Sequence, residues 1–258
     1  MNRGQNSADC SLSAVKSPTF ALMSLLDLYF PKHCLVCRRA RAEKATVLCV
    51  SCAANLPTQS YGHDSLNQML EQAQLNKEVC HAYAPFLNAG ENGGLINVLY
   101  QLKYAKRAFL ARNLVALASP GLHPFFEQHQ FDVLAPVPMH FTKMMQRGFN
   151  QAALLAREIG KRYAVAVDPK LLSQLSRKKS QASKTRSERH QLDAHLFKAN
   201  AIRARNYRHV LLIDDVFTTG STLGACFEAL KKQGVFEISY LTLFYTPLEY
   251  AVERPLEL

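Results

Sequence analysis

Residues Val210–Thr222 read V-L-L-I-D-D-V-F-T-T-G-S-T: an apolar run, two adjacent carboxylates, then a hydroxyl-rich loop with one glycine. Each part has a task on a sugar phosphate. The apolar residues Val210–Ile213 suit a strand buried in a parallel sheet. Asp214 and Asp215 would then stand at that strand's carboxyl end, where open α/β sheets bind ligands. Carboxylates there accept hydrogen bonds from a vicinal diol such as the ribose 2′ and 3′ hydroxyls. Thr218, Thr219, Gly220, Ser221 and Thr222 would wrap a phosphate. Gly220 permits positive φ, backbone N–H groups converge, and the hydroxyls add donors. A helix starting near Thr222 contributes the partial positive charge of its N-terminus.

A second block, Ala135–Gln151, reads A-P-V-P-M-H-F-T-K-M-M-Q-R-G-F-N-Q. It follows a strand and precedes a helix, so it belongs to the same edge of the sheet. Arg147 beside Gly148 offers a bidentate cation next to exposed backbone, which suits pyrophosphate oxygens, and Lys143 adds a point charge. The bland reading is a surface loop with two cations. A third segment, Leu175–His190, is long, polar and basic. It would form a mobile loop that closes over a substrate, excludes water and neutralises a leaving group, with Arg177, Gln181, Arg186 and Arg189 as candidates.

Four of the seven cysteines form C-x2-C-x11-C-x2-C: Cys34, Cys37, Cys49 and Cys52. Each knuckle lets two thiolates point at one ion, and four thiolates suit a closed, structural Zn²⁺ site with no open position for water. A pair of disulfides is the alternative; the absence of a recognisable secretion signal favours reduced thiols and metal. Cys10, Cys80 and Cys226 lack metal spacing, and Cys226 is expected in the core of a helix.

These groups need elements to hold them. Strands are expected at Val79–Phe86, Phe131–Val137, His209–Asp214 and Glu237–Phe244, with a short one at Ala164–Val167. Helices are expected at Gly93–Tyr104, Arg107–Ser119, Asn150–Tyr163 and Leu223–Gln233. Ser173–His190 reads as loop and Gln59–Lys77 as a connector. Strands alternating with helices indicate an α/β domain with a mainly parallel sheet flanked by helices. The organisation is a disordered leader over 1–17, an amphipathic helix and four-cysteine zinc finger over 18–60, and the α/β domain over 61–258. Leu22, Leu25, Leu26 and Tyr29 mark the amphipathic helix. No apolar run is long enough to span a membrane, so a cytoplasmic protein is expected. The 258 residues carry a formal net charge of +11, which favours polyanionic partners. Twelve lysines and arginines against three acids fall between Phe141 and His190.

The Val210–Thr222 stretch resembles the phosphoribosyl-pyrophosphate (PRPP) signature of type I phosphoribosyltransferases. The cysteine knuckles, then Q-L-K-Y (Gln101–Tyr104), P-V-P-M-H…R-G-F-N-Q, the basic segment running to A-H-L-F, and I-D-D-V-F-T-T-G-S-T stand in the order of the ComF/GntX family. The resemblance runs from about Pro31 to the last strand. It implies a type I phosphoribosyltransferase-like domain with an N-terminal zinc finger, associated with uptake of transforming single-stranded DNA or with DNA utilisation. It further implies ribose binding by Asp214 and Asp215, 5-phosphate binding by Thr218–Thr222, and pyrophosphate beside Arg147 and Gly148, with Mg²⁺ accompanying PRPP. Lys143 stands where the family pattern usually has arginine, and Gln191 and Leu192 replace its asparagine after the basic segment.

Three functions fit these residues. The first is a DNA-uptake factor that binds single-stranded DNA through the phosphate pocket and basic surface, with Tyr104, Phe141 and Phe149 as nearby stacking candidates and other uptake proteins as partners. The second is a working phosphoribosyltransferase, a glycosyltransferase moving ribose 5-phosphate from PRPP to a nitrogen acceptor. The third is a PRPP sensor without turnover.

Overall fold

The computed structural model describes residues 33–43, 47–59, 69–71, 78–87, 94–104, 107–175 and 196–247. The expected leader and amphipathic helix lie outside these residues, as do Arg177, Gln181, Arg186 and Arg189 of the basic segment.

A parallel sheet carries the chain. Strands β1 (Ala82–Tyr83) and β2 (Phe86–Leu87) both pair with β7 (Glu237–Tyr245), which pairs with β6 (His209–Phe217), which pairs with β3 (Val133–Pro136). The expected strand Val79–Phe86 is thus two short pieces around Pro85, whose missing N–H cannot serve a ladder. β6 explains its own composition. Val210 and Leu212 enter the apolar cluster on one face while Leu211 and Ile213 enter the cluster on the other, so no position is free to be polar. The strand also runs past its expected end at Asp214, because Val216 and Phe217 pair with Phe244 and Tyr245.

Helices cover both faces. α1 (Val50–Ala54) belongs to the cysteine knuckle; α2 (Gly94–Tyr104) and α3 (Leu110–Gln128) follow. α3 continues beyond the expected stop at Ser119, through Pro120 and Pro124. Pro120 leaves the Ala116 carbonyl without its helical donor, and the Ser119 hydroxyl donates to that carbonyl at 2.7 Å instead. Gly121 lets α3 approach β1: a Cβ there would stand 2.4 Å from the Tyr83 hydroxyl oxygen. α4 (Phe141–Arg147) lies inside the block read as a loop, and α5 (Gln151–Tyr163) follows with Asn150 as its N-cap. The Asn150 side chain accepts from Ala152 N–H at 3.0 Å and donates to the Val137 carbonyl at 2.8 Å, which ties the block to the end of β3. Ala164 ends α5 in the left-handed region (φ 56°) rather than opening a strand; the only pairing there is a single bridge from Val167 to Leu134 among the described residues.

A two-stranded antiparallel unit was not anticipated. β4 (Leu172–Gln174) pairs with β5 (Phe197–Ala199), so Ser173 and Gln174 belong to a strand rather than to the basic loop. α6 (Ala201–Ala204) follows, capped by the Asn200 side chain. α7 (Ser221–Lys231) then joins β6 to β7 and buries Cys226 completely, as expected of a core cysteine. The cysteine knuckle is not a separate bead. Cys34, Leu35, Val47, Leu48 and Cys49 share one apolar cluster with Leu95, Val98 and Leu99 of α2.

Candidate functional site

The carboxyl edge of β6 holds the acid pair. The Asp215 N–H donates to Asp214 Oδ1 at 2.8 Å. Desolvation, then the neighbouring Asp215 charge, pushes the Asp214 carboxyl up to about 7, against the relief given by that N–H and by Lys103. Asp215 has a cation of its own. Lys103 Nζ, from the last turn of α2, lies 2.8 Å from Asp215 Oδ2, and both side chains are largely buried (16% and 13% exposed). Magnesium, expected with PRPP, therefore meets an acid pair whose outer carboxylate is already ion-paired.

The hydroxyl loop turns as its glycine predicts. Gly220 has φ 69° and begins α7 with no side-chain cap, which leaves first-turn amides for an anion. Thr219 Oγ1 and Ser221 Oγ lie 3.1 Å apart.

Arg147 ends α4 and is fixed by an aromatic ring. Its guanidinium carbon lies 5.1 Å from the Tyr104 centroid and its Nη2 donates to the Tyr104 hydroxyl at 3.4 Å. Arg147 Nε is buried without a partner. Tyr104 stacks in turn near Tyr100, with centroids 6.1 Å apart.

One cavity of about 420 Å³ joins these groups. Arg147, Asp214, Asp215, Thr218, Ser221 and Thr222 line it, as does Lys143. Gly148, Thr219 and Gly220 do not line it; Gly148 (φ 84°) and Gly220 form the turns that position those that do. Sequence reasoning missed Lys103, Tyr100, Gln151, Gln174 and Phe197 on the same wall. Lys103 had a signal in its place in Q-L-K-Y and Gln151 in its place at the end of R-G-F-N-Q, but no local feature pairs Lys103 with Asp215. Gln151 is 1% exposed and its Nε2 has no partner, so it offers a buried donor at this wall. Phe149 packs against the core and is not a free stacking face; Tyr104 and Phe141 are 53% and 70% exposed.

The four cysteines come together in space. Their Sγ atoms all lie within 4.8 Å of one another, with Cys37 and Cys49 3.9 Å apart. A tetrahedral ion with metal–sulfur bonds of about 2.3 Å sets sulfurs about 3.8 Å apart, so the donor set fits a metal such as zinc. Backbone N–H groups of Ala40 and Arg39 bring the Cys37 thiol down to about 6, while desolvation and the neighbouring thiols push Cys52 up to about 12. His33 is not in the cluster. All described cysteines are free thiols, which sets aside the disulfide alternative for these four.

Residues 144–255 match the family described as Phosphoribosyl transferase domain. The chain is 27% identical over 145 residues to Competence protein F of Haemophilus influenzae, covering 55% of this chain and 63% of that protein, less than two thirds of its length. It is 26% identical over 231 residues to the DNA utilization protein YhgH of Escherichia coli, covering 83% and 90%. It is 26% identical over 118 residues to Competence protein ComFC of Streptococcus pneumoniae, covering 46% and 49%. The chain is similar to ComF-family proteins. Its type I phosphoribosyltransferase domain and clustered N-terminal cysteines are those the family resemblance implied. Among the described residues, no helix is long and apolar enough to cross a membrane.

Proposed function

We propose that this protein binds PRPP, or a related ribose phosphate, at the carboxyl edge of its sheet and acts in DNA uptake or DNA utilisation, engaging single-stranded DNA. The observation that carries the reading is the convergence of an acid pair, a hydroxyl loop at a helix N-terminus and a pinned arginine on one cavity. Asp214 and Asp215 accept the ribose hydroxyls. Thr218, Ser221 and Thr222 hydroxyls, with the first amides of α7, take the 5-phosphate. Arg147 and Lys143 face the diphosphate. Names of the relatives supply the DNA role, and the chemistry is compatible: Tyr104 offers an exposed ring on the cavity wall that also carries Arg147 and Lys143, and Phe141 is an exposed ring at the start of α4. Zinc is the metal proposed for Cys34, Cys37, Cys49 and Cys52, in a structural role and a cytoplasmic, reducing setting.

Turnover is a second reading, favoured by one feature. The cavity extends to Gln174, Leu196 and Phe197, a partly apolar wall that a ribose phosphate does not need and that leaves room for a nitrogen acceptor. Bond exchange at C1′ would then be driven by orientation and charge stabilisation. A sensor would bind PRPP without releasing pyrophosphate.

Fluorescence anisotropy of a labelled oligonucleotide tests the DNA role. Affinity for the single strand should fall steeply with salt and drop further in Arg147→Ala. Absent or salt-insensitive binding would refute it. A pyrophosphate-release assay with purine, pyrimidine and amine acceptors separates transferase from sensor.

A further inference from the structure

We propose that Lys103 does at Asp215 what a divalent cation would otherwise do, so that the ribose-phosphate site binds its ligand without Mg²⁺. This rests on the ribose-phosphate reading above and goes beyond it by naming the ion the site dispenses with.

Two adjacent carboxylates beside a phosphate pocket pose an electrostatic problem. A polyphosphorylated sugar must approach a dianion, and a hydrated divalent ion held by carboxylate and phosphate oxygens is the usual remedy. Here a protein cation already sits on the outer carboxylate: Lys103 Nζ lies 2.8 Å from Asp215 Oδ2 in a largely buried pair. The charge balance of the cavity agrees. Lys103, Lys143 and Arg147 line it against Asp214 and Asp215, three fixed cations to two carboxylates, so the site is electropositive toward an anion with no metal added. Nor does the acid pair belong to a larger ligand set: among the described residues the four cysteines form the only group of three or more donors close enough to hold an ion.

Lys103 is also well anchored for the task. It precedes Tyr104, whose ring holds Arg147, so one helical turn sets the cation on the ribose side and the cation on the diphosphate side together. The pair leaves Asp215 Oδ1 able to accept a sugar hydroxyl. A lysine so placed is a positioning and charge-balancing residue, not a group that attacks or protonates.

The test is calorimetric titration of ribose 5-phosphate and of PRPP, each in magnesium-free buffer without a soluble chelator and in excess Mg²⁺, with zinc-loaded wild type, Lys103→Met and Lys103→Arg. Ribose 5-phosphate lacks the diphosphate that itself chelates magnesium, so it isolates the acid pair. Wild type should bind it with less than about a tenfold difference between the two conditions. Lys103→Met should bind weakly in magnesium-free buffer and regain at least about tenfold in Mg²⁺, while Lys103→Arg should stay independent of the ion. Wild-type binding that requires Mg²⁺ would overturn the inference and leave the ribose-phosphate reading intact. Metal-independent binding by a folded Lys103→Met would also overturn it. No binding of either ligand by wild type in either condition would sink both. Zinc content and the thermal transition show whether each variant is folded.

Discussion

Asp214→Asn should make the protein more stable above neutral pH while removing a group the site uses. Desolvation and the Asp215 charge raise the Asp214 carboxyl from 3.8 to about 7. An acid with a raised folded-state value holds its proton better in the fold than in the unfolded chain. Its ionisation therefore costs stability as pH rises from 3.8 toward 7. At about 1.4 kcal/mol per unit the whole shift has an upper limit of about 4 kcal/mol. Between pH 5 and pH 8 the stability of wild type relative to Asp214→Asn should fall by about 2–3 kcal/mol. Asparagine keeps the Oδ1 that accepts the Asp215 N–H, so the local turn survives. The assay is urea unfolding of both proteins at pH 5, 6, 7 and 8, comparing differences at each pH so that other titrating groups cancel. A gap that stays flat with pH, or an Asp214→Asn protein less stable than wild type at pH 8, would refute the reasoning. A stabilising change at a carboxylate is the sign expected of a group kept for binding rather than for folding.

Three further outcomes follow from named contacts. Removing the metal with a strong chelator, or making Cys49→Ser, should lower the midpoint of thermal unfolding by about 10 °C or more, since Cys49 lies in the cluster shared with α2; scanning calorimetry reads it. Asp168→Ala should cost about 2 kcal/mol in urea unfolding, because buried Asp168 accepts both contacts of Arg203 Nη1 at 3.0 and 3.1 Å and the Tyr207 hydroxyl at 3.3 Å, discounted for the half-exposed arginine. At the opposite end of the sheet, His81 stacks on His129 with centroids 3.6 Å apart, and desolvation lowers both His129 and His209 from 6.5. These bases stabilise the fold when neutral, so their contribution is present above pH 6.5 and is lost as pH falls below it; His129→Asn should flatten that acid limb in a denaturation series.

What was legible in the sequence was whatever is contiguous. The acids and the hydroxyl loop share one strand and one turn, so their joint placement follows from β6 being buried on both faces. The cysteine knuckles were legible for the same reason, as two short turns with fixed spacing. Contacts between distant segments were not legible. Nothing around Lys103 indicates Asp215, and nothing around Arg147 indicates the Tyr104 ring. The β4–β5 pair escaped because its three-residue strands sit on either side of a basic segment and depend on each other for partners. Helix α3 was cut short at Ser119 because proline normally stops a helix, whereas here the Ser119 hydroxyl takes up the carbonyl that proline leaves.

The most direct test of the account is calorimetric titration of PRPP, with Mg²⁺ present, into zinc-loaded wild type and Ser221→Glu. Ser221 is the first residue of α7 and lines the cavity, so a glutamate there suits the helix N-terminus and spares the fold while putting a carboxylate where the phosphate belongs. Wild type should bind, and Ser221→Glu should bind at least about a hundredfold more weakly. Equal binding by both proteins, or no binding by a folded wild type, would contradict the claim that this edge of the sheet is a ribose-phosphate site.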